Sequence, residues 1–324
     1  MGSRAAADDA TRGTGFGTLS LVTVTAIWGS TFFIIKDAVA QVDPIDFLAV
    51  RFAIAALIPA LIFWRSLRGL TRRQWAIGLG LGAVYGFAQI AQTIGLAHTA
   101  ASVSGFITGT YVVLTPLCVW IGFRAKLSPA TWLAVVLATV GLAVLSLSGG
   151  GSFGMGEALT LLGALLYAIH IVLLGRWARS MPGMALTILQ LVAVAIVCGV
   201  LGLRGGISVP ATAGVWGPIF YTAIVAGVVT MGLQSFGQRH LSATRVALLF
   251  TLEPVFATLF AILFGGEHLT PRLVVGGVLI LLATLLGVRG GQSESLDPEP
   301  RFARRHVHEP KTISVINADN RSTS

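Results

Sequence analysis

RVALLFTLEPVFATLFAILFG, residues 245–265, decides how this chain is read. The run is long and apolar enough to cross a bilayer, whose hydrocarbon core about 20 such residues span. Near its middle stands a carboxylate, Glu253, directly before Pro254. A charge near the centre of a span costs roughly 2.5–3.5 kcal/mol on insertion scales. The proline removes a backbone donor and deprives the Phe250 carbonyl of its usual partner. Facing lipid, such a pair is hard to explain; facing a bundle interior or a wet cavity, it is understandable. SVSGFITGTYVVLTPLCVWIG, residues 102–122, has a similar layout, with Thr115 and Pro116 in the comparable place. Pro116 and Pro254 are therefore the expected helix breaks. Each stretch is followed by Leu-Ser/Thr-Pro, at 127–129 and 269–271, and by another apolar run. That points to an internal duplication.

Composition agrees with a membrane protein. Only 11% of the 324 residues are charged and the mean hydropathy is +0.83, whereas soluble domains carry about 25% charged residues. Cys118 and Cys198 both fall in apolar runs and read as small buried hydrophobes, not a disulfide or a metal pair. The net charge of +9 resembles a nucleic-acid signal until the charges are placed along the chain.

Ten spans are expected, at 16–38, 46–64, 75–97, 102–122, 130–148, 156–175, 184–203, 216–235, 245–265 and 272–289. The first apolar run is too long for a secretory leader and is expected to stay as an anchor. Short links make sequence neighbours antiparallel neighbours in space. The second, fourth, sixth and eighth links hold Arg65, Arg68, Arg72, Arg73, Arg124, Lys126, Arg176, Arg179, Arg239 and Arg245; the alternate links hold only Arg204 and Arg272. The positive-inside rule makes the basic side cytoplasmic and puts both termini there. The acids Asp37, Asp43, Asp46, Glu157 and Glu267 mark the outer ends. The basic balance is thus a topology signal, and nucleic-acid binding is not expected. Arginine outnumbers lysine 19 to 3, as in GC-rich bacterial genomes, so a bacterial cytoplasmic membrane is the expected location.

The expected fold is all-α, ten transmembrane helices in two five-helix repeats at 16–148 and 156–290. Residues 1–15 and 291–324 are polar and expected to be disordered cytoplasmic extensions. Five is odd, so the second copy must enter the membrane from the opposite side. Inverted repeats recur in secondary transporters, with the site near the midplane between the copies.

Several segments then add up to a family likeness. WGSTFF at 28–33, LAVRF at 48–52, LEPVF at 252–256 and the paired Leu-Ser/Thr-Pro links resemble the EamA-type branch of the drug/metabolite transporter superfamily. The likeness covers roughly residues 16–290. It implies a ten-helix carrier working by alternating access, often exporting amino acids, metabolites or toxic compounds. One departure stands out. The second copy's link reads Gly-Glu-His-Leu at 266–269, like the family's Gly-Glu-Arg-Leu, while the first reads Arg-Ala-Lys-Leu at 124–127 and is about one turn shorter.

Glu253, the acid well inside a span, is a candidate for proton exchange during transport or for a hydrogen bond to a neighbouring helix. Lys36 and Arg51 lie near the outer ends of the first two spans; they snorkel toward Asp37, Asp43 or Asp46, or capture an anionic substrate. Gln89 and Gln92 share one face of the third span, as cavity lining or as interhelical hydrogen bonds. Gly78, Gly82 and Gly86, and likewise Gly105 and Gly109, are rows of small residues that let helices approach closely. Tyr111 and Thr115 lie further along the fourth span. His170, Gln190 and Gln234 are further pathway candidates, with a satisfied core position as the alternative. Trp28 and Tyr221 either stack on an aromatic or cationic ligand or anchor and pack.

No cofactor, metal or ATP motif is visible, so a substrate or ion gradient must drive the carrier. Its partners are a small-molecule substrate and the lipid bilayer, and a homodimer is compatible with the layout. An intramembrane enzyme is the first alternative, but Ser-Val-Ser-Gly at 102–105 lacks a nearby base and there is no HExxH. A scaffold or receptor is the second; it leaves the duplication and Glu253 unexplained.

Overall fold

Local capping chemistry sets most helix starts in the computed structural model, which describes residues 2–123, 127–146, 154–177, 180–203, 205–206, 212–230, 233–234, 237 and 249–295. All regular structure among these residues is helical. The first helix, α1, is Gly2–Val39; it reaches back through the segment for which the sequence suggests no structure. Asp43 accepts the Ile45 amide at 2.8 Å and Pro44 opens α2, Pro44–Ile62. Thr71 and Gln74 form a reciprocal capping box at the start of α3, Arg72–Ala97.

The fourth expected span is two helices, α4, Ala101–Gly109, and α5, Tyr111–Phe123. The expected break at Pro116 is not where the chain breaks, for α5 runs through Pro116. The interruption lies at Thr110, whose amide and hydroxyl both turn back to the Ile107 carbonyl and tighten the turn. Thr115 does not serve the carbonyl that Pro116 frees; its hydroxyl donates to Tyr111 O at 2.8 Å. The expected break at Pro254 is found. Thr251 and Leu252 form a turn, and Glu253 and Pro254 begin a fresh helix.

The helices that follow are α6, Pro129–Ser146; α7, Met155–Trp177; α8, Gly183–Leu203; α9, Ala213–Phe220, continued by π-helical turns Tyr221–Val229; α10, Glu253–Leu263; and α11, Pro271–Ser295. The duplicated Leu-Ser/Thr-Pro links are helix starts. Ser128 accepts the Thr131 amide and Thr270 the Leu273 amide, each at 3.2 Å, with Pro129 and Pro271 as first helical residues.

Seven helices are long and apolar enough to cross a membrane by length and composition: Gly15–Val39, Pro44–Ile62, Arg72–Ala97, Ala101–Gly122, Met155–Leu174, Gly183–Leu203 and Pro271–Arg289. The other three expected spans are shorter apolar helices, Pro129–Leu145, Ala213–Val229 and Glu253–Leu263. Pro254 shortens the last by restarting it. Residues 147–148, 231–232, 235 and 245–248 of the fifth, eighth and ninth expected spans lie outside the described residues, as do Arg124, Lys126, Arg179, Arg204, Arg239, Arg245 and the tail from 296.

Close packing follows the glycine rows. A Cβ on Gly82 would lie 2.5 Å from the Gln190 carbonyl oxygen, and one on Gly78 would meet Leu189, so α3 sits backbone-close to α8. Gly105 and Gly109 of α4 face Ala257 and Pro254 of α10, and Gly29 of α1 faces Phe256 and Ala257. Gly141 of α6 and Gly276 of α11 abut each other's backbone carbonyls. The main packed pairs are α6 with α11, α3 with α7 and α8, α2 with α8, α1 with α10, α10 with α4, and α7 with both α4 and α5; α1 and α2 also touch the π-helical turns. Large apolar side chains such as Leu61, Ile121, Leu203 and Phe264 are left on the outside, the surface a bilayer would cover.

Candidate functional site

Seven helices bring polar side chains together in the interior. On α3, Tyr85, Gln89 and Gln92 recur at helical spacing along one face. Gln89 Nε2 donates to Tyr85 Oη at 2.9 Å. Gln92 reaches two other helices: its Oε1 accepts from Tyr167 Oη of α7 at 2.7 Å, and its Nε2 donates to Thr108 Oγ1 of α4 at 3.1 Å. Gln92 thus ties three helices together, as interhelical hydrogen bonding requires, whereas Gln89 is buried and bonds within its own helix.

The Tyr85 ring packs on Tyr167, centroids 5.7 Å apart, and on His170, 5.2 Å apart. His170 Nε2 lies 2.6 Å from Gln190 Oε1 of α8. Because a glutamine Oε1 only accepts, that ring nitrogen carries the hydrogen. His170 and Gln190 thus satisfy each other at the margin of the cluster.

Arg51 of α2 is not where the sequence suggests. Instead of snorkelling to the outer acids, its guanidinium is buried within electrostatic reach of Tyr85, Tyr167 and Cys198. The helix period explains this: Arg51 follows Phe47 and Leu48 on the core-facing side of α2, and all three are buried. Its Nε and Nη1 have no hydrogen-bond partner among the described residues. Each unpaired buried donor costs about 1–3 kcal/mol, so the site holds an unsatisfied cation.

Glu253 interacts electrostatically with the same tyrosines, Tyr85 and Tyr167, and with Tyr111. It occupies the first turn of α10, where the positive end of the helix dipole favours a carboxylate. The break at Thr110 leaves Tyr111 beside it, and Pro254 packs 3.4 Å from a Cβ position on Gly109. The two interrupted helices therefore meet next to the polar cluster.

Other expected site residues have structural roles. Lys36 does not turn to Asp37, Asp43 or Asp46; its ammonium donates to the carbonyls of Leu96, at 3.3 Å, and Thr99, closing the C-terminal end of α3. Glu267 accepts from the Ala101 amide at 2.6 Å and from the Ser102 hydroxyl, capping α4, which has no cap of its own. Ser102, the nucleophile-like residue of 102–105, is spent on that cap. Trp28 Nε1 donates to Ala226 O and Thr230 Oγ1, both at 3.2 Å, and its ring packs on Phe250. Tyr221 bonds Ser30 at 2.7 Å on the wall of an apolar groove of about 420 Å³ between α1 and α10, apart from the cluster. Gln234, half-buried, makes no hydrogen bond with the cluster among the described residues. No group of three His, Cys, Asp or Glu among the described residues is placed to hold a metal.

Tyr85 and Tyr167 are the site residues that sequence reasoning missed. The signal was present: the chain has four tyrosines, and these two stand four residues before Gln89 and three before His170.

Comparison with known proteins agrees with this architecture. An uncharacterized transporter of Archaeoglobus fulgidus is 33% identical over 270 residues, covering 83% of this chain and 84% of its own. The uncharacterized transporter YyaM of Bacillus subtilis is 25% identical over 79% of this chain and 88% of its own. The uncharacterized inner membrane transporter YedA of Escherichia coli K12 is 25% identical over 80% of this chain and 87% of its own. A solved crystal structure shares the fold at 18% identity, with a TM-score of 0.62 over 87% of this chain and 99% of its own. The model of the EamA-like transporter family matches twice, at residues 15–147 and 154–289, and the chain belongs to that family as a multi-pass membrane transporter.

Proposed function

We propose that the protein is a ten-helix carrier of two inverted repeats that exports a small metabolite, amino acid or drug-like compound by alternating access, around the cluster of Arg51, Tyr85, Tyr111, Tyr167 and Glu253. The observation that carries the reading is the charge arrangement. A buried guanidinium, two of whose donors have no partner among the described residues, and a half-buried carboxylate both act electrostatically on Tyr85 and Tyr167. Intramembrane ionisable groups are costly and mark substrate or ion pathways.

Packing supports the repeat. Exchanging the first five expected spans for the last five maps the α2–α8, α4–α10 and α6–α11 contacts onto themselves. It also maps α3–α7 onto α1 with the π-helical turns, and α1–α10 onto α4–α7. The two interrupted helices, meeting at Gly109 and Pro254, are the discontinuous elements that line transporter sites. The copies are not equivalent, since one breaks six residues before its proline and the other two residues before. A bacterial cytoplasmic membrane, cytoplasmic termini and a homodimer complete the proposal.

The test is Glu253→Gln in whole cells and in proteoliposomes. It should impair flux while leaving insertion intact. Wild-type flux across the neutral pH range would remove Glu253 from the mechanism.

A further inference from the structure

We infer that Arg51 is the docking point for a carboxylate of the transported molecule, which makes the substrate a small monoanionic or zwitterionic acid. This deepens the carrier reading and rests on it. Arg51 is 8% exposed, and its Nε and Nη1 are buried without hydrogen-bond partners among the described residues. The groups within its electrostatic reach are the Tyr85 and Tyr167 phenols and the Cys198 thiol, and the Phe52 ring lies 4.8 Å from its Cζ. None of these is an acid strong enough to be its counter-ion at neutral pH. A buried cation is retained when it is paired, so the missing anion is one that enters with the substrate.

The geometry selects a carboxylate. Nε and Nη1 belong to the two different edges of the planar guanidinium, each completed by Nη2, and either edge matches two carboxylate oxygens. Tyr85 is the second donor: its Oη accepts from Gln89, and its own hydrogen is not given to any described residue. Tyr167 is not available, because it donates to Gln92. A phosphate dianion fits less well, since one guanidinium faces it, Lys36 is held by backbone carbonyls, and the Glu253 carboxylate acts electrostatically on the same Tyr85.

The experiment is thermal unfolding of the detergent-purified full chain. The probes are leucine, isocaproate and phenylpropionate, each beside its own amide, with inorganic phosphate and chloride alongside. A ligand that binds only the folded state raises the melting temperature with concentration. At least one acid should do so, with its amide binding about tenfold more weakly or worse. Arg51→Lys should weaken that binding by about tenfold and Arg51→Gln should abolish it, with Tyr85→Phe falling between wild type and Arg51→Gln. Should Arg51→Gln fail to fold, Arg51→Lys and the acid–amide comparison in the wild type decide the matter.

Equal shifts from acid and amide, a shift that survives Arg51→Gln, or a response to phosphate or chloride instead would overturn the inference. A Glu253-dependent shift from an amide alone would leave the carrier standing and remove the carboxylate. No shift from any probe, with no flux of these acids in proteoliposomes, would overturn the inference; loss of all efflux in cells would take the carrier reading with it.

Discussion

Gly82→Ala and Gly80→Ala form a matched pair that tests the packing beneath the polar cluster. Both glycines lie on α3, two residues apart, and each substitution adds one methyl group. At Gly82 the new Cβ would stand 2.5 Å from the Gln190 carbonyl oxygen, 2.6 Å from Gln190 Cα and 2.6 Å from Ala193 Cβ. Two of those atoms are backbone, so α8 must move away by close to an ångström. At Gly80 nothing lies within 4 Å. Overpacking of this kind costs about 1–3 kcal/mol, while alanine gains roughly 1 kcal/mol over glycine in a helix interior. Gly82→Ala should therefore be destabilising by up to ~2 kcal/mol, and Gly80→Ala neutral or stabilising by up to ~1 kcal/mol. Unfolding can be followed with a thiol-reactive dye, because Cys198 of α8 is buried. Equal melting temperatures for the two variants, or a lower one for Gly80→Ala, would refute the close approach of α3 to α8.

Two further substitutions probe the ends and walls of the bundle. Ser102→Ala removes a hydroxyl donor to Glu267 and loosens the cap on α4; thermal unfolding should show a loss of about 1 kcal/mol, within the range for helix caps. Trp28→Phe keeps the ring packing on Phe250 but removes the indole donor to Ala226 O and Thr230 Oγ1, which keep their own hydrogen bond at 2.7 Å. It should cost about 0.5–1.5 kcal/mol in thermal unfolding while leaving ligand binding at the Arg51 cluster unchanged.

What sequence alone determined is local or periodic. Apolar runs mark the spans, because about 20 such residues are needed to cross hydrocarbon. The two Leu-Ser/Thr-Pro links betray the duplication, and they do so because each is a self-contained helix start made by residues three apart in sequence. Glycine rows are legible for the same reason, since a period near four places them on one helix face. The restart at Glu253 and Pro254 is likewise readable from one proline. Thr110 is not, because the break there depends on hydroxyl and amide hydrogen bonds to Ile107 that have no strong residue signature.

Tertiary structure alone decided which polar groups meet. Gln92 and Tyr167 are 75 residues apart, and Ser102 and Glu267 are 165 apart. Spacing along a helix gives the direction in which a side chain points, but not the helix it points at. Lys36 and Arg51 look alike in sequence, as cations near the outer ends of neighbouring spans. Packing sends the first to the carbonyls at the end of α3 and the second into the interior beside Tyr85 and Tyr167. The difference arises because α8 covers α2 on the face that carries Arg51, among buried Phe47, Leu48 and Cys198. Burial of that face, not the charge on it, places the guanidinium inside.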